Sequence, residues 1–299
     1  VKSISILLLT RKRPEGLRRV LDSLQETTER PAYLEVVVSA DADDDETRHL
    51  LDNLPAYDFI TKGAVRPRPD AVTEVYNGQY AISTGDIISV CPDDVVFNTK
   101  GWDDITRHSF RDLIGPAQLG IAFPWDEQVG FNFATAPHMT RQCIEYHRQL
   151  LGFYMPPWFP FWFADTWWDE IGLLMGCHLQ MPWGVNTPDG KGLTRGLRDL
   201  PFWADVFDAT RGMRLRAVRK LIDAAYWDRE GLRQTLQHTL DDRAMLCLGL
   251  TQRYRDPEII ATLQGQAEET EASPRYLRAK ATAEALLQEI GPFLKAEHV

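Results

Sequence analysis

Residues 3–9, SISILLL, are apolar at nearly every position, the pattern of a strand covered on both faces. Pro14 then opens a helix in which Leu17, Val20, Leu21 and Leu24 fall on one face. A second apolar run, YLEVVVSA (33–40), predicts another strand. After an acidic loop, Leu50, Leu51 and Leu54 mark a short helix. YDFITK (57–62) reads as a third strand, and residues 71–83 as a helix. Gly85 and the strand DIISVC (86–91) follow. Strand–helix alternation of this kind predicts a mostly parallel α/β sheet flanked by helices.

The middle of the chain changes character. Trp102, Ile105 and Phe110 predict a helix, and LGIAFPW (119–125) and FNFATAP (131–137) short strands. Helices are expected near 139–151 and 166–175, and a strand at HLQMPW (178–183). Residues 184–201, GVNTPDGKGLTRGLRDLP, are rich in Gly, Pro and polar side chains. They read as a loop of a length that is uncommon in compact domains and often functional. From about residue 202 helical patterns dominate, punctuated by Pro257 and by Ser273-Pro274. The pattern predicts an α/β domain over 1–200 and a helical C-terminal region over 201–299.

Composition narrows the function. A chain of 299 residues with 44% hydrophobic content builds a sizeable core. A net charge of -10 argues against a protein that coats nucleic acid by bulk electrostatics. Cys91, Cys143, Cys177 and Cys247 are far apart and form no CxxC, which predicts reduced thiols in a cytoplasmic protein. No run approaches the ~20 apolar residues of a membrane helix. SISILLLT is too short for one, and it lacks the small-residue cleavage site of a signal peptide.

Common nucleotide and hydrolase signatures are missing. The first strand runs into TRKRPEG rather than GxGxxG, and there is no GxxxxGK[ST], HExxH or GxSxG. What remains is a set of charged groups where strands end. Thr10, Arg11 and Arg13 follow the first strand. Asp41, Asp43, Asp44 and Asp45 follow the second, and Asp93 and Asp94 follow DIISVC. Ligands of open α/β sheets bind outside those ends. Each group has a plainer reading. Asp43 with Glu46 fits a capping box, the arginines suit a solvated surface, and Pro-Asp-Asp suits a turn. Three such coincidences at matching strand ends point to a ligand instead.

The order TRKRPEGLRRVLDSL, SADADDDET, YNGQYAISTGDIISVCPDDVVF resembles the inverting GT-A glycosyltransferases of the large family that includes cellulose and chitin synthases. The likeness spans about residues 3–180. It implies that Thr10, Arg11 and Arg13 lie at a nucleotide, that Asp41 or Asp43 contacts the base, and that Asn77-Gly78 and Ala81–Asp86 precede the strand ending in the DxD motif. Asp94 falls at that motif's usual metal position, with Asp93 beside it, while Pro92 stands where the family usually carries the first acid. The chemistry calls for acids there. A diphosphate and a carboxylate approach one another only with a cation between them, and Mg²⁺ or Mn²⁺ takes one or two carboxylates plus substrate phosphates.

The resemblance also implies a general base at the start of a helix. In YMPPWFPFWFADTWWDEIG (154–172) Asp165 matches best, with Asp169 and Glu170 one turn later. Asp165 is expected to cap a helix starting near Thr166, and the aromatics around it to raise its pKa by excluding water. Trp158, Phe159, Phe161, Trp162, Phe163, Trp167 and Trp168 read mostly as core. His178 is a candidate late metal ligand or a structural histidine. Lys191, Arg195 and Arg198 suit a lid over a diphosphate or a solvated loop.

The reading is a metal-dependent glycosyltransferase using a nucleoside-diphosphate sugar, UDP-linked, with Mn²⁺ or Mg²⁺. Its acceptor is left open among glycan, protein, lipid headgroup and modified nucleobase. Two alternatives stand beside it. One is a nucleotidyltransferase, for which TRKRPEG is a poor glycine-rich loop. The other is a non-catalytic binder of sugar nucleotides or glycans.

Overall fold

The computed structural model describes residues 2–114, 117–127, 136–160, 163–187, 199–258, 260 and 273–296. The chain divides into a sheet unit, Val1–Arg68, Val75–Tyr154 and Cys177–Gly190, and a helical unit, Pro69–Glu74, Met155–Gly176 and Lys191–Val299. Two segments ahead of residue 200 thus group with the C-terminal helices. Among the described residues no helix is long and apolar enough to cross a membrane.

In the sheet unit the first apolar run forms β1 (Ile4–Leu9), buried along nearly its whole length. It pairs in parallel with β2 (Leu34–Asp41) on one side and β4 (Ile87–Pro92) on the other. Leu9 lies opposite both Ser39 and Pro92, so the three strands end level with one another. β3 (Ile60–Arg66) adds in parallel outside β2, with exposed positions that suit an edge. Beyond β4 come the short antiparallel β7 (His138–Thr140), then β6 (Ile121–Asp126), β8 (His178–Asn186) and the two-residue β5 (Val96–Phe97). The described strands form one eight-stranded sheet, order β3-β2-β1-β4-β7-β6-β8-β5. β6 and β8 run parallel, with a register shift between Phe123 and Trp125. Pro124 lies there and has no N–H for the ladder.

Helices α1 (Pro14–Thr27), α2 (Asp45–Asp52), α3 (Val72–Ile82), α4 (Trp102–His108) and α5 (Arg141–Leu151) accompany these strands. Pro14 opens α1, and Leu17, Val20, Leu21 and Leu24 are its buried face, as the spacing predicts. They join Ile4, Ile6, Leu8, Val36, Val38 and Ile87 in one core. α3 is tied to the sheet by Gln79, whose side-chain amide donates to the carbonyls of Leu8 (2.8 Å) and Val37 (2.9 Å). Gly85 is there for space, since a Cβ on it would lie 2.6 Å from the Ser5 backbone nitrogen. The predicted strand over 131–137 falls mostly outside the described residues.

The helical unit is built on α6 (Ala164–Met175), α7 (Leu200–Ala209), α8 (Arg211–Ala225), α9 (Glu230–His238), α10 (Leu240–Cys247), α11 (Gly249–Gln252) and α12 (Pro274–Ala296). Its core is aromatic, as the sequence predicts. Phe159, Phe163, Trp167, Trp203 and Phe207 are fully buried, with the Phe163 and Phe207 rings 5.2 Å apart. Phe161 and Trp162 lie outside the described residues. Inside that core Glu170 meets Arg211 (2.9 Å) and Arg214 (3.1 Å). The Arg214 guanidinium also lies 3.8 Å from the Phe207 ring centre.

Candidate functional site at the strand ends of the sheet unit

The chain runs from β1 through β2 to β3 on one side and returns as β4 on the other side of β1. The strand order therefore reverses between β1 and β4, and that is where open α/β sheets hold ligands. Thr10, Arg11 and Arg13 leave β1 at this point, and Asp93 and Asp94 leave β4.

The structure brings these residues together. The Thr10 hydroxyl donates to Asp93 Oδ2 at 2.8 Å, and Arg13 Nη1 donates to Asp93 Oδ1 at 2.8 Å. The same nitrogen is 3.6 Å from Asp94 Oδ2. On the β2 side Arg11 grips both oxygens of Asp43 (2.6 and 3.0 Å) and reaches Asp41 Oδ2 (3.0 Å). Arg68 approaches Asp41 as well, at 3.8 Å. Nothing in the local sequence pattern marked Arg68, because it is the parallel register of β3 on β2 that carries it there.

Backbone geometry supports the cluster. Lys12, between the two arginines, has a positive φ of 50°, a conformation that costs energy outside glycine and recurs at functional loops. Its N–H donates to Asp44 Oδ2 at 2.5 Å, while Asp44 Oδ1 accepts from the Thr47 N–H. The cap of α2 is thus Asp44 with Thr47, not Asp43 with Glu46. Asp43 is spared for Arg11 because the helix begins one residue later than the capping box predicts. Gly16, on the first turn of α1, admits the β4 turn. A Cβ there would stand 2.8 Å from the Asp93 carbonyl oxygen.

The two acid pairs differ electrically. The Arg11 guanidinium holds the Asp43 carboxyl below its ordinary value. Burial pushes the Asp93 carboxyl up to about 6, against the pull of Arg13 and Thr10. The Cys91 thiol, fully buried on β4, is driven well above its ordinary value by the same loss of solvation and then by the charges of Asp94 and Asp93. It is an inert thiol. None of the four cysteines forms a disulfide, as their spacing predicts.

For a metal, the donor set decides what fits. Both oxygens of Asp93 already accept from protein donors, and Asp94 is the carboxylate left over. Among the described residues no group of three or more His, Cys, Asp or Glu side chains is arranged to hold an ion. A protein cage is therefore not built here. One carboxylate completed by substrate phosphates, as Mg²⁺ and Mn²⁺ accept, does fit. His178 stands apart from the acids. It opens β8 opposite Ile121, which is level through Met139 with Ile88. That puts it five residues back from Asp93 along the strand direction, about 16 Å, where it packs on the Phe123 ring with 4.5 Å between centres.

The other expected residues are distributed more widely. Asn77 Oδ1, on α3, accepts from the Tyr154 N–H at 3.2 Å, and a Cβ on Gly78 would meet open space. Lys191, Arg195 and Arg198 lie outside the described residues. One acid escaped the sequence reading. Asp126 ends β6 on the same sheet edge as Asp93, is fully buried, and lies 3.4 Å from the Thr187 hydroxyl. A strand followed directly by Asp, in FPWD, was the available signal.

In the helical unit Asp165 does not cap its helix. α6 begins at Ala164, its N-cap is Phe163 with a left-handed φ of 70°, and Asp165 lies in the first turn. Such a φ in a bulky residue is an outlier that surrounding structure must hold in place. The Asp165 carboxylate accepts from the Thr166 N–H (2.8 Å). Water reaches the side chain, yet protein crowded around it and the charge of Asp169 push its pKa up. Glu170, one turn on, is fully committed to its arginines.

No family model and no curated protein matches the chain. Solved structures do resemble it. TarS 1-349 of S. aureus, in complex with UDP, aligns over 96% of this chain and 91% of its own, at 11% identity and a TM-score of 0.51. GalNAc-T7 with UDP, GalNAc and Mn²⁺ aligns over 62% of this chain and 44% of its own, at 10% identity and a TM-score of 0.50. A mannosyltransferase from Pyrobaculum calidifontis, PcManGT with GDP-Man and Mn²⁺, covers 96% and 81% at 15% identity and a TM-score of 0.49. The parallel strands around the reversal point and the likeness to TarS and GalNAc-T7 give one conclusion: the chain has a GT-A-like fold.

Proposed function

We propose that the protein transfers a sugar from a nucleoside-diphosphate donor, UDP-linked, to an acceptor hydroxyl with inversion. The observation that carries this reading is the convergence of Arg11, Arg13, Asp41, Asp43, Asp93 and Asp94 at the β1–β4 reversal of the sheet. Arg11, fixed between Asp41 and Asp43, lies beside the base and ribose, and one of the two acids accepts from the base. Arg13 and Thr10 hold Asp93, which orders the β4 turn and leaves Asp94 to hold a divalent cation. When bound, Mn²⁺ or Mg²⁺ supplies positive charge that stabilises the departing diphosphate.

Asp165 is the base in this scheme. A carboxylate with a raised pKa takes a proton from a hydroxyl more readily than an ordinary one, and the deprotonated oxygen attacks the anomeric carbon as the bond to the diphosphate breaks. Lys191 and Arg195 are proposed to bind the phosphates. His178 is proposed as a structural histidine beside Phe123.

The reading is tested in two steps. UDP with Mn²⁺ raises the melting temperature, and neither alone does so to the same extent. A panel of UDP- and GDP-sugars is then assayed for donor hydrolysis, which identifies the sugar. A protein that binds UDP and hydrolyses no donor on the panel is a sugar-nucleotide binder. A protein with no melting shift has no donor site at the β1–β4 reversal.

A further inference from the structure

Arg13 faces both acids of the turn after β4. Its Nη1 donates to Asp93 Oδ1 at 2.8 Å and lies 3.6 Å from Asp94 Oδ2. The group shares the burial of its partners: the side chains of Arg13 and Asp94 are each 16% exposed and that of Asp93 9%. Asp93 is committed to the protein, since its other oxygen accepts from Thr10 and it takes the Arg11 N–H as well. The residue before the pair is Pro92, so Asp94 is the acid of this turn that remains for a cation.

The positive charge of Arg13 is held in place. Arg11, two residues earlier, is paired with Asp41 and Asp43. The Lys12 N–H is tied to Asp44 at a positive φ, and Pro14 opens α1 directly afterwards. A divalent ion bound to Asp94 Oδ2 at about 2.1 Å would stand within about 6 Å of Arg13 Nη1. Repulsion at that distance costs roughly tenfold in affinity even at the dielectric of water, and more where solvent is scarce. A diphosphate arriving with the ion changes the balance, because its negative charge attracts the guanidinium and the ion alike.

We propose that Arg13 is a specificity-determining residue of the donor site: its charge keeps bare Mn²⁺ or Mg²⁺ off Asp94 and admits the cation only together with the diphosphate. This rests on the donor-site reading above and adds a coupling to it. Metal and nucleotide favour one another, and Arg13 carries that coupling.

The experiment is Mn²⁺ titration of the full chain without nucleotide, followed by electron paramagnetic resonance of the free ion. Arg13→Gln should bind bare Mn²⁺ at least tenfold more tightly than wild type. Glutamine keeps a donor for Asp93, which retains Thr10 and the Arg11 N–H, and the Arg13 side chain makes no cap to α1, so far-ultraviolet dichroism should be unchanged. Arg13→Met supplies the same test if the glutamine variant does not fold. Arg13→Lys restores the charge and should return the bare-ion affinity toward wild type. Adding Asp94→Ala to Arg13→Gln should abolish the gain, which separates Asp94 from the acidic surface of a chain with net charge -10. In wild type, Mn²⁺ at a concentration too low to bind by itself should still enlarge the melting shift given by UDP. Equal bare-ion affinity in wild type and Arg13→Gln, a lysine variant that behaves like glutamine, or a gain that survives Asp94→Ala would each overturn the proposal. The donor-site reading fails separately, when UDP with Mn²⁺ gives the wild type no melting shift.

Discussion

The molecule contains two arginine–carboxylate networks that look alike on paper and differ in kind. At the sheet edge, Arg11 and Arg13 hold Asp41, Asp43, Asp93 and Asp94, and Asp43 keeps 58% of its side chain in water. In the helical unit, Glu170 and Arg214 are both fully buried. In the first network Asp43 can exchange its protein partner for a ligand at little cost, while Asp41 and Asp93 are buried beside it. In the second, an unpaired charge would have no water to fall back on, so the pair holds the fold and does no chemistry. Accessibility, more than residue type, separates a site from a strut.

The largest effect that would sharpen this contrast concerns Asp165. Asp165→Asn keeps an acceptor for the Thr166 N–H and removes basicity. Transfer at saturating donor is expected to fall by about 10²–10⁴-fold with nucleotide affinity retained. Near-normal transfer would move the base elsewhere, to Asp169 or to Asp126.

Next comes the strut. Glu170→Ala leaves Arg211 and Arg214 facing one another without their shared carboxylate, and Arg214 is fully buried. Denaturant titration should show a loss of about 3–5 kcal/mol. A neutral result would place Glu170 in the exchangeable class and dissolve the comparison.

Asp94→Ala is the matching change at the sheet edge. The ligand-free protein should unfold almost as wild type does, but the Mn²⁺-dependent stabilisation by UDP should vanish. That stabilisation is about 2.7 kcal/mol at a hundredfold excess over Kd. A wild-type melting shift in the variant would remove Asp94 from the cation.

The smallest effect lies in buried neutral groups of the sheet unit. Burial holds His138 down at about 4 and His147 at about 3. A lowered histidine pKa means that the unfolded chain takes up protons first. Its stabilising effect is complete above the unfolded value and is lost as pH falls toward the folded one. Between pH 7.5 and pH 5 each histidine should withdraw about 2 kcal/mol. Urea midpoints at the two pH values measure the loss, and in His138→Gln the slope should be shallower. An unchanged slope would exclude His138.

Much of this was legible in the chain. The unbroken apolar runs of β1, β2 and β4 announced a buried sheet, and the charged residues after each run marked the strand ends where charges gather. Other features depended on register. The Asp44 cap displaced the expected Asp43–Glu46 box because Lys12 supplies a backbone donor from a loop 32 residues away. β5 was hidden because two residues carry no periodicity. Asp165 was read as a cap because an aspartate before Thr166 satisfies the usual preference, whereas the helix enters through Phe163 at positive φ.

The sequence by itself determined the strands, the helices and which strand ends carry charge, since periodicity and local composition act within a few residues. Only the tertiary structure decided which charges meet. Thr10 and Asp93 are 83 positions apart, and Glu170 and Arg214 are 44 apart, distances over which no local pattern operates. Strand order puts the first pair at the strand ends, beside the part-exposed Arg13 and Asp94. The aromatic core closes around the second. Whether a carboxylate serves a ligand or a fold is set by the solvent left to it, and that is a property of the assembled molecule.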